Sequence, residues 1–397
     1  MLLESLLSRL KPSMWPISLN QLPAGSALVG GAVRDALLDV LQHKPDLDLI
    51  VPSKAVEFAK EFSDREGGSC VVLDKERDIA RLVLNGWTID LACQVGNSLE
   101  EDLWRRDYTI NAIALTLSND PIIIDPTGGI LDLEKKKLVA ISQQNLIDDP
   151  LRLLRGFRLS SELRFDLDEM TKNFIKINAK LLKHVAPERI KGELERLVHG
   201  DWADQVILQI KKLGLLEPWQ STDQFFTFNN QSLETTSAFH QNELKIALPI
   251  VRLTNLLSDQ GLKELSFSRK KLQNCHLLRF WQHKNDGLAF ETLDEIERLQ
   301  LHKDLETFLP ALILQLPQRD QSAWLKRWRD NADPLFHPSC PIDGFTLQEM
   351  FQSPKGPWIG QLMNLLCKER AFGRLHNRKE AFQLARYWWE HNQPFCD

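Results

Sequence analysis

The hydropathy periodicity of the chain changes near residue 145, and that change limits the fold more than any other feature. Before it, short β-branched runs recur between turns: SALVGG, DLDLIV, CVVLD, IARLVL, TIDLA, AIALTL and PIIID. The helical stretches AVRDALLDVL and AVEFAKEF lie among them. This reads as a mixed sheet with helices. The segment DPTGGILDLEKKKLVAI offers a Pro and Gly-Gly turn before a short helix. After residue 145, DPLRLLRGFRLSSEL, TKNFIKINAKLLKHV and PERIKGELERLVHG carry apolar residues three and four apart, the helical spacing. Residues 216–240 read as connections, and helical patterns resume through 241–330. The Pro-rich DPLFHPSCPIDGF then opens a last helical unit. The expected class is α+β, a mixed-sheet part followed by an all-helical remainder.

A chain of 397 residues fits two to four domains. No apolar run reaches the roughly 18–20 residues that cross a bilayer. Glu4 interrupts the apolar start, and no small-residue cleavage site follows. Neither a membrane partner nor a signal peptide is expected, and a cytoplasmic location is. Cys70, Cys93, Cys275, Cys340, Cys367 and Cys396 form no C-x-x-C pair, so buried free thiols are expected rather than disulfides or metal knuckles. The net charge of −5 argues against a generic nucleic-acid coat but allows a local basic groove. Two basic runs are candidates for one. The first holds Lys263, Arg269, Lys270, Lys271, Arg279 and Lys284; the second holds Lys368, Arg370, Arg374, Arg378 and Lys379. Each is either a solvated helix face or an RNA contact.

Four constellations carry chemistry. In LVGGAVRDALL a strand ends at Gly30 and Gly31, and a helix follows. Such a turn lets backbone N–H groups approach a phosphate, and Arg34 can add a charge-assisted contact. The same residues also make an ordinary tight turn. In PDLDLIV, Asp46 and Asp48 lie two apart on a strand and so share a face. Adjacent carboxylates repel unless cations separate them. Mg²⁺ suits carboxylate and phosphate oxygens, and two such ions can activate a 3′ hydroxyl and stabilise leaving pyrophosphate. Asp90 in TIDLA is either a third carboxylate of this set or a strand-end residue near solvent.

Helix LEEDLWRRD leads into RRDYTINA, where two arginines, Arg105 and Arg106, and the polar cluster from Asp107 to Asn111 before a buried strand suit a triphosphate or a domain-joining salt-bridge web. In DPLRLLRGFR, Pro150 suits a first helical turn and Asp149 its N-cap. Arg152, Arg155 and Arg158 recur every three residues and form a stripe beside Asp149. An aspartate and an arginine there could read a base edge, or could simply cap an exposed helix.

These constellations, in this order, resemble the class II tRNA nucleotidyltransferase and bacterial poly(A) polymerase family, within the polymerase-β-like nucleotidyltransferases. The resemblance rests on GGAVRD, DLD, RRDYTINAIAL, DPTGGILDL, DDPLRLLRGFRLSSELRF and PERIKGELERL, across roughly residues 26–200, and on residues 356–381. It implies a catalytic head at 1–141, a helical neck with a base-reading helix at 142–200, a helical body at 201–330 and a tRNA-binding tail at 331–397. It implies that Asp46 and Asp48 hold two Mg²⁺ ions. Gly30, Gly31, Arg34 and Arg106 would meet the phosphates or sugar of CTP or ATP. Asp149 and Arg152 would pair with the base, with Arg155 and Arg158 supporting phosphates and helix. Glu188, Arg189 and Glu193 would brace that helix. Asp148 stands where the family often has glutamate.

A second departure bears on the product. Complete CCA-adding relatives carry a flexible loop between the strand of the third carboxylate and the RRD motif. Here Ser98 and Glu101 form a plausible capping box, and only residues 94–97 separate that cap from the strand ending near Cys93. In the family, a missing loop goes with enzymes that add two cytidines to tRNA and cannot switch to adenosine. A CC-adding enzyme is therefore expected, with a separate enzyme adding the adenosine. A complete CCA-adding enzyme, a poly(A) polymerase, a nucleotidyltransferase of protein or small molecules and an inactive RNA-binding relative are the competing readings.

Overall fold

The computed structural model describes residues 2–221, 238–284 and 292–392. They fall into two compact units, Met1–Glu217 and Pro218–Asp397. Most of the 216–240 stretch, and Cys396, lie outside the described residues.

The seven runs read as strands form one sheet in the first unit: β1 Ala27–Val29, β2 Leu47–Val51, β3 Ser69–Asp74, β4 Ile79–Leu84, β5 Trp87–Cys93, β6 Ala114–Thr116 and β7 Ile123–Ile124. Their order is β3-β4-β5-β2-β1-β6-β7. β2 and β5 run parallel and every other neighbouring pair is antiparallel, so the sheet is mixed. A parallel pair needs a long crossover, here supplied by helix Ala55–Glu66 and the β3–β4 hairpin. Helix Leu99–Trp104 contributes Leu103 to a cluster with Ala27, Val29, Ile50, Ala112 and Ala114. Ile50 lies two residues beyond Asp48 on β2, so this cluster covers the face that carries Asp48.

The rest of the first unit is helical: Gln143–Asp148, Leu151–Leu163, Glu169–Asn178, Pro187–Leu197 and Ala203–Leu213. Two details differ from the sequence reading. TKNFIKINAKLLKHV is not one helix, because it tightens to a 3-10 segment at Ala179–His184. A parallel two-stranded ladder joins Lys137–Leu138 to Asp166–Leu167 inside the region read as helical, too short for a period-two signal to register.

The second unit is built from helices between Gln241–Leu256 and Arg378–His391. One core gathers Trp281, Leu305, Leu312 and Phe336, and another gathers Trp358, Leu362 and Leu366. The Pro-rich stretch ends at helix Gly344–Phe351, whose N-cap Asp343 accepts from the Thr346 N–H at 2.8 Å. No described helix is long and apolar enough to cross a membrane. The described cysteines are all free, but only Cys275 and Cys367 are buried; Cys70, Cys93 and Cys340 are half-buried. Cys70 lies on the edge strand β3, which is exposed along most of its length, and Cys93 is the last residue of β5.

A polar chain crosses the first unit. Arg34 Nη1 donates to Asn111 Oδ1 at 2.7 Å, and Asn111 Nδ2 donates to Asp107 Oδ1 at 3.1 Å. Arg155 Nη1 reaches Asp107 Oδ2 at 3.1 Å, and its Nε reaches Glu193 Oε1 at 3.4 Å. Glu193 also takes Arg158 Nε at 2.5 Å, and Arg158 continues to Glu162 at 2.6 Å. Burial disfavours an ionised Asp107, but Arg155, the Asn111 amide and the Tyr108 N–H outweigh it and hold the carboxyl below the usual range. Next to it, the buried Tyr108 hydroxyl donates to the Arg152 carbonyl at 2.9 Å.

Two predictions follow from this packing. A Cβ at Gly156 would stand 2.1 Å from the Tyr108 hydroxyl oxygen. Alanine is the better helix former by about 1 kcal/mol, yet the overlap should win, and Gly156→Ala should cost about 1–3 kcal/mol in urea unfolding. An unchanged or increased stability would contradict the packing. Asp107→Ala strips a buried anion from Arg155 and should cost about 3–5 kcal/mol. A loss below about 1 kcal/mol, the range of exposed pairs, would remove Asp107 from the centre of the network.

Candidate active site at Asp48 and the double-glycine turn

Strand register lines up the site. Val29 stands opposite Asp48, Asp48 opposite Asp90, and Asp90 opposite Arg81. The chain leaves β1 at Gly30, whose φ of +73° suits glycine, and helix Gly31–Leu37 begins at once. A Cβ on Gly30 would meet Asp48 Oδ2 at 3.0 Å and Arg106 Nη1 at 3.7 Å. The glycine thus lets the turn lie against the carboxylate. Asp46 immediately precedes β2 and is exposed.

Asp48 is pushed up to about 6, first by burial, then by the Asp90 and Asp46 carboxylates; Arg106 and Arg34 pull the other way. Uncompensated negative charge of this kind suits a divalent cation. Among the described residues no group of three or more His, Cys, Asp or Glu side chains is arranged to hold a metal. Mg²⁺ requires no such cage, because it commonly binds one or two carboxylates together with substrate phosphates. The donor set of Asp46 and Asp48 therefore fits. Of the two readings of Asp90, third carboxylate or strand-end residue, neither is decided by its pairing: Arg81 Nε and Nη2 donate to its two oxygens at 2.7 and 2.8 Å. It acts on Asp48 through charge.

The arginines divide. Arg34 is buried, and its bonds run to Asp35 and Asn111. Arg106 pairs with Asp102 at 3.3 Å, while its buried Nε has no partner among the described residues. Arg106 is thus the arginine at the turn with a donor to spare. Arg155 and Arg158 are committed to Asp107, Glu193 and Glu162, so of their two expected roles the geometry fits support of the helix rather than of phosphates.

Helix Leu151–Leu163 starts one residue later than expected, with Pro150 at the cap position. Asp149 Oδ1 still accepts from the Leu151 N–H at 3.3 Å, and Oδ2 accepts from Arg189 Nη2 at 2.9 Å. Arg152 Nη1 donates to the Arg105 and Asn145 carbonyls, both at 2.9 Å. Arg189 and Glu193, from helix Pro187–Leu197, thus both hold the neighbouring helix.

The connection from β5 to helix Leu99–Trp104 is short and tied down. Gln94 N–H donates to the Val51 carbonyl at 2.8 Å, and Val95 N–H to Asp102 Oδ1 at 3.1 Å. Ser98 Oγ accepts from the Glu101 N–H at 3.3 Å, but Glu101 returns to the Asn97 N–H at 2.8 Å, so the expected capping box closes one residue early. In the basic runs, Arg279 bonds Asp259 and the Thr254 and Leu257 carbonyls, and Arg374 bonds Glu295 and Glu369. Lys263, Arg269, Lys270, Arg378 and Lys379 remain exposed.

Sequence reasoning missed Arg81. Arg81 was detectable only as a charge inside the apolar run IARLVL. Tyr108 and Asn111 stood inside the RRDYTINA motif, but nothing in the sequence assigned them these partners.

The raised Asp48 gives a pH prediction. A carboxyl raised in the fold contributes stability that is complete below its ordinary value of 3.8 and lost as pH rises through about 6. A shift of this size corresponds to about 3 kcal/mol at most, and partial exposure reduces it to about 1–2 kcal/mol. In EDTA, Asp48→Asn should therefore gain stability over the parent at pH 7.5 and not at pH 4.5. Equal differences at both values in urea unfolding would refute the assignment.

Comparisons with known proteins follow the same layout. The family described as "Poly A polymerase head domain" matches residues 26–139, and "Probable RNA and SrmB- binding site of polymerase A" matches residues 164–221. The CC-adding tRNA nucleotidyltransferase of Synechocystis sp. is 33% identical over 93% of this chain and 95% of its own. The A-adding tRNA nucleotidyltransferase of Deinococcus radiodurans is 37% identical, with 93% and 96% covered. The fold is similar to that of a CCA-adding enzyme solved with CTP, at a TM-score of 0.71 and 20% identity, covering 98% of each chain. The chain belongs to the family of tRNA nucleotidyltransferases and poly(A) polymerases, and it is a nucleotidyltransferase.

Proposed function

We propose that the chain transfers CMP from CTP to the 3′ end of tRNA, releases pyrophosphate, and stops after two additions. The short connection at residues 94–98 carries this reading, because its backbone is tied to Val51, Asp102 and Glu101. A segment pinned in this way offers no flexible arm to change the base-reading pocket from cytosine to adenine. Relatives named for CC addition and for A addition are both similar to this chain, so their names do not decide between the two.

In this reading Gly30 and Gly31 admit the triphosphate against the start of helix Gly31–Leu37, and the unpartnered Arg106 Nε donates to it. Asp46 and Asp48 would hold Mg²⁺, which when bound supplies activation of the terminal 3′ hydroxyl and neutralisation of the departing pyrophosphate. Asp149 would accept from the cytosine amine, and Arg152 would donate to the ring, with Arg189 and the Arg105 and Asn145 carbonyls fixing their directions. The division into head 1–141, neck 142–200, body 201–330 and tail 331–397 belongs to the same proposal, as does a cytoplasmic location.

Two measurements test it. Given tRNA without its last three nucleotides, CTP and ATP, the protein should leave a 3′ end extended by two cytidines, read by sequencing. A complete CCA end, or adenosine added only to tRNA already ending in CC, would overturn the product assignment. Arg152→Ala should lower the preference for CTP over UTP by about tenfold, since a good bidentate contact is worth about 1–3 kcal/mol of discrimination. An undiminished preference would place base selection elsewhere.

A further inference from the structure

The second unit contains a cavity of about 200 Å³ that the chemistry above does not use, lined by His302, Trp324, Phe336, Arg298 and Arg327 among others. His302 is 3% exposed, and its Nδ1 is buried without a hydrogen-bond partner among the described residues. Its ring lies 4.2 Å from that of Phe336 and 5.5 Å from that of Trp324, and these two meet at 71° with centroids 5.4 Å apart. Burial, then Arg327, pushes the imidazole down to about 3, so the ring is neutral at working pH and offers one N–H and one lone pair. An unpartnered buried polar atom is costly, and a ligand that supplies the partner recovers that cost.

The rest of the lining narrows the occupant. Pockets for whole drug-sized ligands run from roughly 300 to 1,000 Å³, so this one holds a single ring system. Aromatic walls favour a flat π system over an aliphatic one. Arg327 lies over Phe336 at 4.5 Å and is paired with Asp333 at 2.8 Å. Arg298 lies over Phe372 at 5.6 Å and makes no ion pair among the described residues, which leaves a cation for a phosphate.

We propose that this cavity takes one nucleobase, with His302 Nδ1 bonding the base edge and Arg298 facing the adjacent phosphate. The inference rests on the nucleotidyl transfer to RNA proposed above, which presents two sources of that chemistry: a free nucleotide and an unstacked residue of the RNA.

The test uses the full chain, photo-crosslinked either to tRNA carrying 8-azidoadenosine or to free 8-azido-AMP, with labelled peptides mapped by mass spectrometry. CMP incorporation by the same preparation is measured in parallel. Labelling within residues 318–329 by the tRNA, competed by unmodified tRNA, supports an RNA residue as the source; labelling there by 8-azido-AMP alone supports a free nucleotide. His302→Leu, which keeps bulk and removes the nitrogens, should abolish that labelling. If the source is the RNA, it should also raise KM for tRNA about tenfold while leaving kcat and KM for CTP unchanged. Arg298→Gln, at a half-exposed position, gives the same readout if His302→Leu does not fold. Intact CMP incorporation with no labelling by either probe would overturn the base site alone and leave a solvent-filled cavity. Absent incorporation would instead overturn the proposed reaction.

Discussion

The buried carboxylate of Asp107 is the interaction on which the first unit depends. A lone ionised aspartate in such surroundings is expensive, and it persists because Arg155, Asn111 and the Tyr108 N–H converge on it. Those partners belong to different parts of the chain. Through Asn111 the carboxylate reaches Arg34, one turn into the helix that starts at the double glycine. Through Arg155 it reaches the helix that begins beside Asp149. One anion therefore ties the double-glycine turn to the helix that begins beside Asp149 and fixes the distance between them.

Around Asp48 the logic is reversed. Its neighbours are chosen by register: parallel pairing of β2 with β5 places Asp90 beside it, and antiparallel pairing of β4 with β5 gives Asp90 to Arg81. Arg81 pairs with Asp90, while burial first, and then the Asp90 and Asp46 charges, keep Asp48 raised. The internal network is neutralised within the protein, whereas this carboxylate keeps no full counter-charge there. Fully paired charges serve structure here, and the incompletely paired ones, Asp48 and Arg106 Nε, mark the candidate site.

Much of this was legible in the chain. Each of the seven strands coincides with a β-branched run, and in β4 and β5 burial alternates along the strand as period two requires where one side is wet. The helices after residue 145 show their apolar stripe for the same reason at a different period. Segments of two residues, such as Lys137–Leu138 and Asp166–Leu167, carry no period at all and could not be read. The arginines of RLLRGFR were legible as a stripe, but their roles were not. A guanidinium aimed at Glu193 or Glu162 looks the same in sequence as one aimed at a phosphate.

The sequence by itself determined the fold class, the order of the elements, the double-glycine turn, the paired aspartates and the short connection before helix Leu99–Trp104. All of these are local: periodicity, turn chemistry and spacing act over a few residues. Only the tertiary structure decided which charges are spent internally and which remain available. It gave Asp90 to Arg81, Arg34 to Asn111, and Arg155 and Arg158 to Glu193, and it left Arg106 Nε and His302 Nδ1 unpartnered among the described residues. Those outcomes depend on residues far apart in the chain meeting in a medium of low polarity, where a partner's presence or absence changes a side chain's charge and its use.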